Sequence, residues 1–318
     1  MDRGEKTDRY QALAEECMTA GRYEEAAIFY RKLIELNPGE DSFLLKLAWA
    51  CHDAGRIDLA VDCFEQLYEK ELRRKIFTGF AFDELVRIFK ERADYGRLVR
   101  LCERVAAAHP DDVALLGDLG EAYLKAGRPV DAVAVYEKMT ALDPEDPVFF
   151  CSLGHALAAT GDFDRAEAAC RQAVKIDPAG APSFYSRLAH VYRHEGQPAR
   201  AERIYRRCLK DHDDGPLLHL NLGDVLIDQG KLAEGMASYE NAIARNEAEA
   251  GIYLNRLGNA LARTGHQPEA AEAFQRAIAR EPENAFYYLH LAESYRALGR
   301  NDRAEEMVLR AESIRDGK

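Results

Sequence analysis

Small and large apolar residues recur along this chain at helical spacing, and the pattern resets about every 34 residues. Leu36–Pro38, Leu142–Pro144 and Ile176–Pro178 close similar segments, and Pro110, Pro144 and Pro178 lie 34 apart. On that ruler nine units cover nearly everything: 7–40, 41–74, 79–112, 113–146, 147–180, 182–215, 216–249, 251–284 and 285–318. Only the first six residues, Lys75–Thr78, Ala181 and Ala250 fall outside them. Large apolar residues occupy positions 7, 11 and 24 of a unit, as Leu222, Leu226 and Tyr239 do in the seventh, the spacing of a buried helical stripe. Position 15 is glycine in eight units, the left-handed stop expected between two helices. Position 8 is small in eight units and position 20 is alanine in seven, which lets the two helices of a unit approach closely. Each unit is therefore expected to be a helix, a tight turn and a second helix.

The eleven prolines test this reading independently. Five sit at position 32 (Pro38, Pro110, Pro144, Pro178, Pro282), just past the second helix. Pro129, Pro198 and Pro268 fall where the second helix starts, and Pro147, Pro182 and Pro216 where the first one does. None lies in a helix interior, where each would cost ~3 kcal/mol.

Small 8, glycine 15, alanine 20, bulky 24 and proline 32 together resemble the tetratricopeptide repeat. Gly161–Pro178 (GDFDRAEAACRQAVKIDP) and His266–Pro282 (HQPEAAEAFQRAIAREP) are similar to its second helix almost letter for letter. The resemblance implies an all-α fold, an α-solenoid forming a right-handed superhelix of nine helix-turn-helix units whose first helices line a concave groove. The organisation it implies is units one and two over 1–74, an insertion at 75–78, and units three to nine over 79–318, all within one continuous solenoid. The family is a scaffold with many partners, so the fold does not name the function.

Two departures stand out. The third unit has Val86, Ala93 and Leu98 where small, glycine and alanine are expected, and the insertion Lys75–Thr78 precedes it. This reads either as a drifted repeat that packs differently or as a bend or docking feature that sets units one and two apart. In the ninth unit, Glu305 and Glu312 take positions where a following repeat would be met, which is the polar outer face expected of a terminal repeat.

Charge and composition narrow the class. Over 318 residues, 43 basic and 55 acidic side chains leave a net charge of −12, so nucleic-acid binding through a globally basic surface is not expected. No apolar run is long enough to span a membrane, and the polar Met1–Tyr10 does not read as a signal peptide. Seven scattered cysteines without a Cys-x-x-Cys pair point to reduced thiols and a cytoplasmic location. Phosphate-cradling loops, nucleophile elbows and His-Glu-x-x-His are all missing from the sequence, so neither catalysis nor a cofactor is expected. Most cysteines occupy packing positions, as small buried hydrophobes do.

One constellation has metal-ligand character. Cys151 and His155, and His190 and His194, form two i, i+4 pairs on neighbouring first helices, a set that would suit a tetrahedral transition metal if it converged. Otherwise these are ordinary groove residues.

The resemblance assigns positions 2, 5, 6, 9, 12 and 13 of each first helix to the groove. In units one to four these are mostly acidic, with Lys46, Arg87, Lys90 and Lys125 between them. In units five to nine the sign reverses. His155, Arg187, His190, Arg193, His194, Arg256, Arg263, His290 and Arg296 face only Asp224, Asp228 and Glu293. Asn221, Asn255 and Asn259 add amides suited to a peptide backbone. Trp49, the only tryptophan, sits at groove position 9 of unit two, either as an interface anchor or as cover for the groove floor. The five-residue clamp by which some members hold the C-terminus of a chaperone is not matched; the nearest run offers Cys151 and His155, then Arg187, then Leu217 and Asn221.

The expected function is a non-catalytic scaffold that binds an extended, acidic or carboxylate-terminated protein segment in its groove. The alternatives are a regulator responsive to a small peptide or a metal, and an envelope-assembly factor. The partner and the oligomeric state are not written in the sequence.

Overall fold

The computed structural model describes residues 2–74, 78–211 and 215–317, and within them every regular element is helical. The first four pairs are α1 (Arg3–Thr19) with α2 (Tyr23–Leu36), α3 (Asp41–Asp53) with α4 (Ile57–Arg74), α5 (Phe80–Glu91) with α6 (Tyr95–Ala108), and α7 (Val113–Lys125) with α8 (Pro129–Leu142). The next three are α9 (Pro147–Ala159) with α10 (Phe163–Ile176), α11 (Ala181–His194) with α12 (Pro198–Asp211), and α13 (Pro216–Asp228) with α14 (Leu232–Arg245). A short 3-10 turn precedes α15 (Ala250–Arg263) and α16 (Gln267–Arg280), and α17 (Ala285–Ala297) with α18 (Asn301–Arg315) completes the chain. Two compact units result, Met1–Val135 and Tyr136–Lys318. Of the expected insertion Lys75–Thr78, only Thr78 belongs to the described residues.

The turn glycines behave as the period requires. Gly21, Gly55, Gly127, Gly161, Gly196, Gly230, Gly265 and Gly299 all have φ between 67° and 86°. In the third repeat Ala93 takes the same place at φ 52°, the only positive φ on a non-glycine among the described residues. The repeat has therefore kept its turn although its sequence drifted, at the steric cost of a Cβ in left-handed backbone. Val86 and Leu98, the bulky replacements at the crossing of α5 and α6, are both buried. The first helix begins earlier than the period suggests. Asp2 accepts the Glu5 amide at 2.8 Å, and Glu5 in turn accepts the Asp2 amide at 3.0 Å, a capping box that starts α1 at Arg3.

Small residues bring the paired helices together. A Cβ on Gly223 would lie 2.6 Å from the Tyr239 ring and 3.1 Å from the carbonyl oxygen of Gly235 across the pair. In that gap the large position-24 side chains are sealed: Phe64, Tyr239 and Phe274 are almost wholly buried. In the C-terminal unit, α9, α11, α13, α15 and α17 also pack side by side, so the first helices form one continuous face.

Second helices are linked from repeat to repeat by ion pairs, among them Arg165–Glu137, Lys231–Glu202 and Arg276–Glu240. Exposed pairs of this kind contribute little singly, but Glu202 is mostly buried and gathers Lys231 (2.7 Å), Arg206 (2.8 Å) and Gln229 (2.9 Å). Burial works to raise its pKa, and the three donors outweigh it, holding the carboxyl down to about 2. Because the folded value is depressed, this contribution is complete above the unfolded value near 4.5 and is lost as pH falls towards 2. None of the helices is long and apolar enough to cross a membrane among the described residues.

Two stability outcomes are expected. Ala93→Gly should stabilise the chain by about 0.5–1 kcal/mol, read as a higher urea midpoint. Glu202→Gln should cost on the order of 2 kcal/mol near neutral pH, and the difference from wild type should shrink as the pH is taken below 4.5. A pH-independent difference would show that Glu202 acts through packing alone.

Candidate functional site

The first-helix face of the C-terminal unit is laid out by the helix repeat itself. Positions 2, 6, 9 and 13 lie one above another along each helix. On α11 these are Ser183, Arg187, His190 and His194; on α13, Leu217, Asn221, Asp224 and Asp228; on α15, Ile252, Arg256, Asn259 and Arg263; on α17, Phe286, His290, Glu293 and Ala297.

At the centre stands Asp224, buried at 6% exposure. Its Oδ1 accepts the Tyr239 hydroxyl from the paired helix α14. Its Oδ2 accepts Arg256 from α15, at 2.8 Å from Nη2, and Arg193 from α11 at 3.4 Å. One turn further along α13, Asp228 takes Arg193 and Arg263, the latter at 2.7 Å. Burial disfavours the charged form of Arg256, yet Asp224 outweighs it and holds the guanidinium more firmly protonated than usual. Burial likewise works to raise the Asp228 carboxyl, and the two arginines bring it below its ordinary range. The Tyr239 hydroxyl is pushed strongly upward, chiefly by burial and then by the Asp224 charge.

The structure adds ion pairing to the expected strip of nine His or Arg side chains and three carboxylates. Arg193, Arg256 and Arg263 are bound to Asp224 and Asp228 and tie three first helices together. Asn221 Oδ1 accepts from Arg256 Nη2 at 2.7 Å, which leaves the nitrogen of the same amide as a donor without a hydrogen bond among the described residues. Asn255 Oδ1 lies 2.8 Å from His290 Nδ1. Arg187, Asn259 and Arg296 are exposed and make no hydrogen bond or ion pair among the described residues.

His155, Arg187, His190, Arg193, Asn221 and Arg256 come together around one open depression of about 570 Å³, with Ser186, Val191 and Tyr205 completing its wall. No carboxylate lines it. Asp224 lies behind its arginines.

The metal constellation does not assemble. Cys151 is buried, and burial pushes its thiol pKa up against the pull of Arg187. The His190 and His194 rings are 6.1 Å apart, and among the described residues no three His, Cys, Asp or Glu side chains converge as a metal would need. Trp49 belongs to the N-terminal unit. It is half-buried and packed edge-on against Phe64 (5.8 Å) and Phe80 (6.3 Å), so it seals the junction of repeats two and three. The acidic groove positions of that unit are largely self-paired, through Lys46–Glu15, Lys90–Glu121 and Arg87 with Glu84 and Glu91.

Reading the groove for charge passes over position 2. There Leu217, Ile252 and Phe286 are 58%, 54% and 71% exposed. The signal was present in the sequence as three large apolar residues at one register position of consecutive repeats.

Tetratricopeptide repeat models match residues 7–40, 42–66, 93–150, 157–222, 220–285 and 255–317. The chain belongs to the tetratricopeptide repeat family, whose repeats serve as protein-interaction scaffolds. Among curated proteins it is 31% identical over 114 residues to the TPR repeat-containing thioredoxin TTL4 of Arabidopsis thaliana, covering 34% of this chain and 17% of that one. It is 24% identical over 168 residues to tetratricopeptide repeat protein 8 of Caenorhabditis elegans, covering 52% and 32%. The chain thus spans less than a third of the length of these curated relatives. Among solved structures, MamA is 21% identical with a TM-score of 0.39, covering 52% of this chain and 95% of MamA. YrrB, described as a TPR protein with an unusual peptide-binding site, is 21% identical with a TM-score of 0.38, covering 56% and 91%.

The Asp224 network sets a clear expectation. Asp224→Ala should cost about 2–3 kcal/mol, because it strips the partly exposed Arg256 of its counter-charge and leaves the buried Tyr239 hydroxyl without its acceptor. Tyr239→Phe, which removes one hydroxyl from the same carboxylate, should cost about 1–2 kcal/mol. Chemical denaturation of the two variants checks both values, and equal losses would remove Asp224 from the centre of the network.

Proposed function

We propose that this chain is a non-catalytic, cytoplasmic interaction scaffold whose C-terminal unit binds an extended segment of another protein, acidic or ending in a free carboxylate. The observation that carries this reading is the depression beside Arg187. It is lined by guanidinium, imidazole and amide groups and, among the described residues, has no carboxylate in its wall and holds one arginine, Arg187, that makes no hydrogen bond or ion pair. Arginine's planar fork suits a carboxylate, and the outward-facing amide of Asn221 can donate to a backbone carbonyl.

The ion pairs of Arg193 and Arg256 with Asp224 and Asp228 support assigning those two arginines to the scaffold and Arg187 to binding. Arg256 and Arg193 hold the scaffold together, so reversing their charge would read out folding. Arg187 is exposed and can be changed without that effect. With an acidic peptide ending in a free carboxylate, Arg187→Glu should weaken binding by about tenfold or more, since repulsion replaces attraction. Raising the ionic strength tenfold, which shortens the screening length about threefold, should weaken it further. Fluorescence anisotropy on the full chain measures both. An affinity indifferent to Arg187→Glu and to salt would overturn the reading.

A further inference from the structure

We infer that the segment recognised by this face is amphipathic in the polyproline II conformation, with a large apolar side chain every third residue and carboxylates between. The inference rests on the proposed binding of an acidic segment to the same surface and adds the rule by which that segment is selected.

Two rows define the rule. Leu217, Ile252 and Phe286 stand in the first turns of α13, α15 and α17 and are more than half exposed. Since α13 packs against α15 and α15 against α17, the three side chains repeat at one register position on adjacent helices, an apolar rail with one rung per helix. One helical turn further in lies the row Arg187, Asn221, Arg256 and His290, which contains donors and no carboxylate. A segment laid across the helices between these rows meets an apolar edge on one side and, on the other, the exposed Arg187 and the Asn221 amide, Arg256 being already held by Asp224 and Asn221.

The spacing selects the conformation. Packed helices lie about 8–10 Å apart, so the rail offers an apolar contact at about that interval. A polyproline II chain returns a side chain to the same side every three residues, or about 9.3 Å. A β-strand does so every two residues, or about 6.8 Å, and falls out of step after one rung. Polyproline II also leaves its backbone carbonyls unbonded, which suits a row whose free groups are donors. Exposed apolar side chains scattered singly need no explanation, but three in register beside a complementary polar row mark a contact surface.

The probe is a labelled, end-blocked peptide of four Leu-Pro-Glu triplets, titrated against the full chain by fluorescence anisotropy. Two controls accompany it: four Ser-Pro-Glu triplets, and a shuffled peptide of the leucine composition with its leucines clustered. The leucine triplets should bind at least about tenfold more tightly than either control, the scale of burying one or two leucine side chains. Ile252→Ser and Leu217→Ser should each abolish most of that advantage while leaving the thermal midpoint unchanged, and Ile252→Leu should retain it. Equal binding of leucine and serine triplets, still weakened by Arg187→Glu, would overturn the rail and leave the acidic-segment reading standing. Equal binding of the ordered and shuffled leucine peptides would overturn the three-residue rule. Absence of binding by all three peptides, with the free-carboxylate peptide still bound, would overturn this inference alone, and failure of that peptide as well would overturn both readings.

Discussion

Two helices can lie against one another at close range only where neither carries a bulky side chain at the crossing. The Gly223–Gly235 contact shows how tight that requirement is, since a single added Cβ would sit inside the van der Waals envelope of Tyr239. The other regularities depend on this contact. Close crossing creates the gap that the position-24 ring fills, and the left-handed glycine makes the reversal short enough to bring the helices together. Repeated crossings then present first helices in a row. The third repeat shows the constraint by exception: with Val86 and Leu98 at the crossing it retains its turn only by placing Ala93 in left-handed backbone.

A row of parallel first helices brings like register positions together, and charges placed there interact with residues one repeat away. Asp224 receives Arg193 from the preceding repeat and Arg256 from the following one, with Tyr239 from its own pair beneath it. A buried carboxylate with three donors is a well-satisfied arrangement, and removing any one donor leaves charge or hydrogen-bonding capacity unpaired in a place water reaches poorly. The network therefore fixes how repeats six, seven and eight stack, and the charges it uses are withdrawn from any ligand.

That withdrawal explains how the sequence could be read correctly for fold and only partly for site. The period, the turn glycines and the small crossing positions are local and recur in seven or more of the nine repeats, so they are visible in one chain without coordinates. Ion pairing across repeats depends on the offset between adjacent helices. Position 9 of one helix meets position 12 of the preceding one and position 6 of the next, and counting charges at groove positions cannot reveal those offsets. Arg193, Arg256 and Arg263 accordingly read as ligand-facing, whereas the structure spends them on Asp224 and Asp228. Trp49 was legible only as two alternatives, and a partly exposed ring packed edge-on against Phe64 and Phe80 is compatible with both. Met1 and Lys75–Phe77 are outside the described residues, and so are 212–214 and Lys318.

What remains on the face after packing and pairing are satisfied is small and ordered by depth along the helices. Positions 9 and 13 of α13 belong to the internal network, and positions 7, 8 and 11 belong to the core. Position 2, at the helix entrance, and position 6, one turn below it, answer to neither demand in full: Leu217, Ile252 and Phe286 are not needed to close the core, and Arg187 is not needed to balance a charge. A hydrated guanidinium and exposed apolar side chains each cost a free-standing scaffold little, so their use lies in what they leave available. Packing and pairing leave both rows unused, and for that reason they are proposed together as one surface.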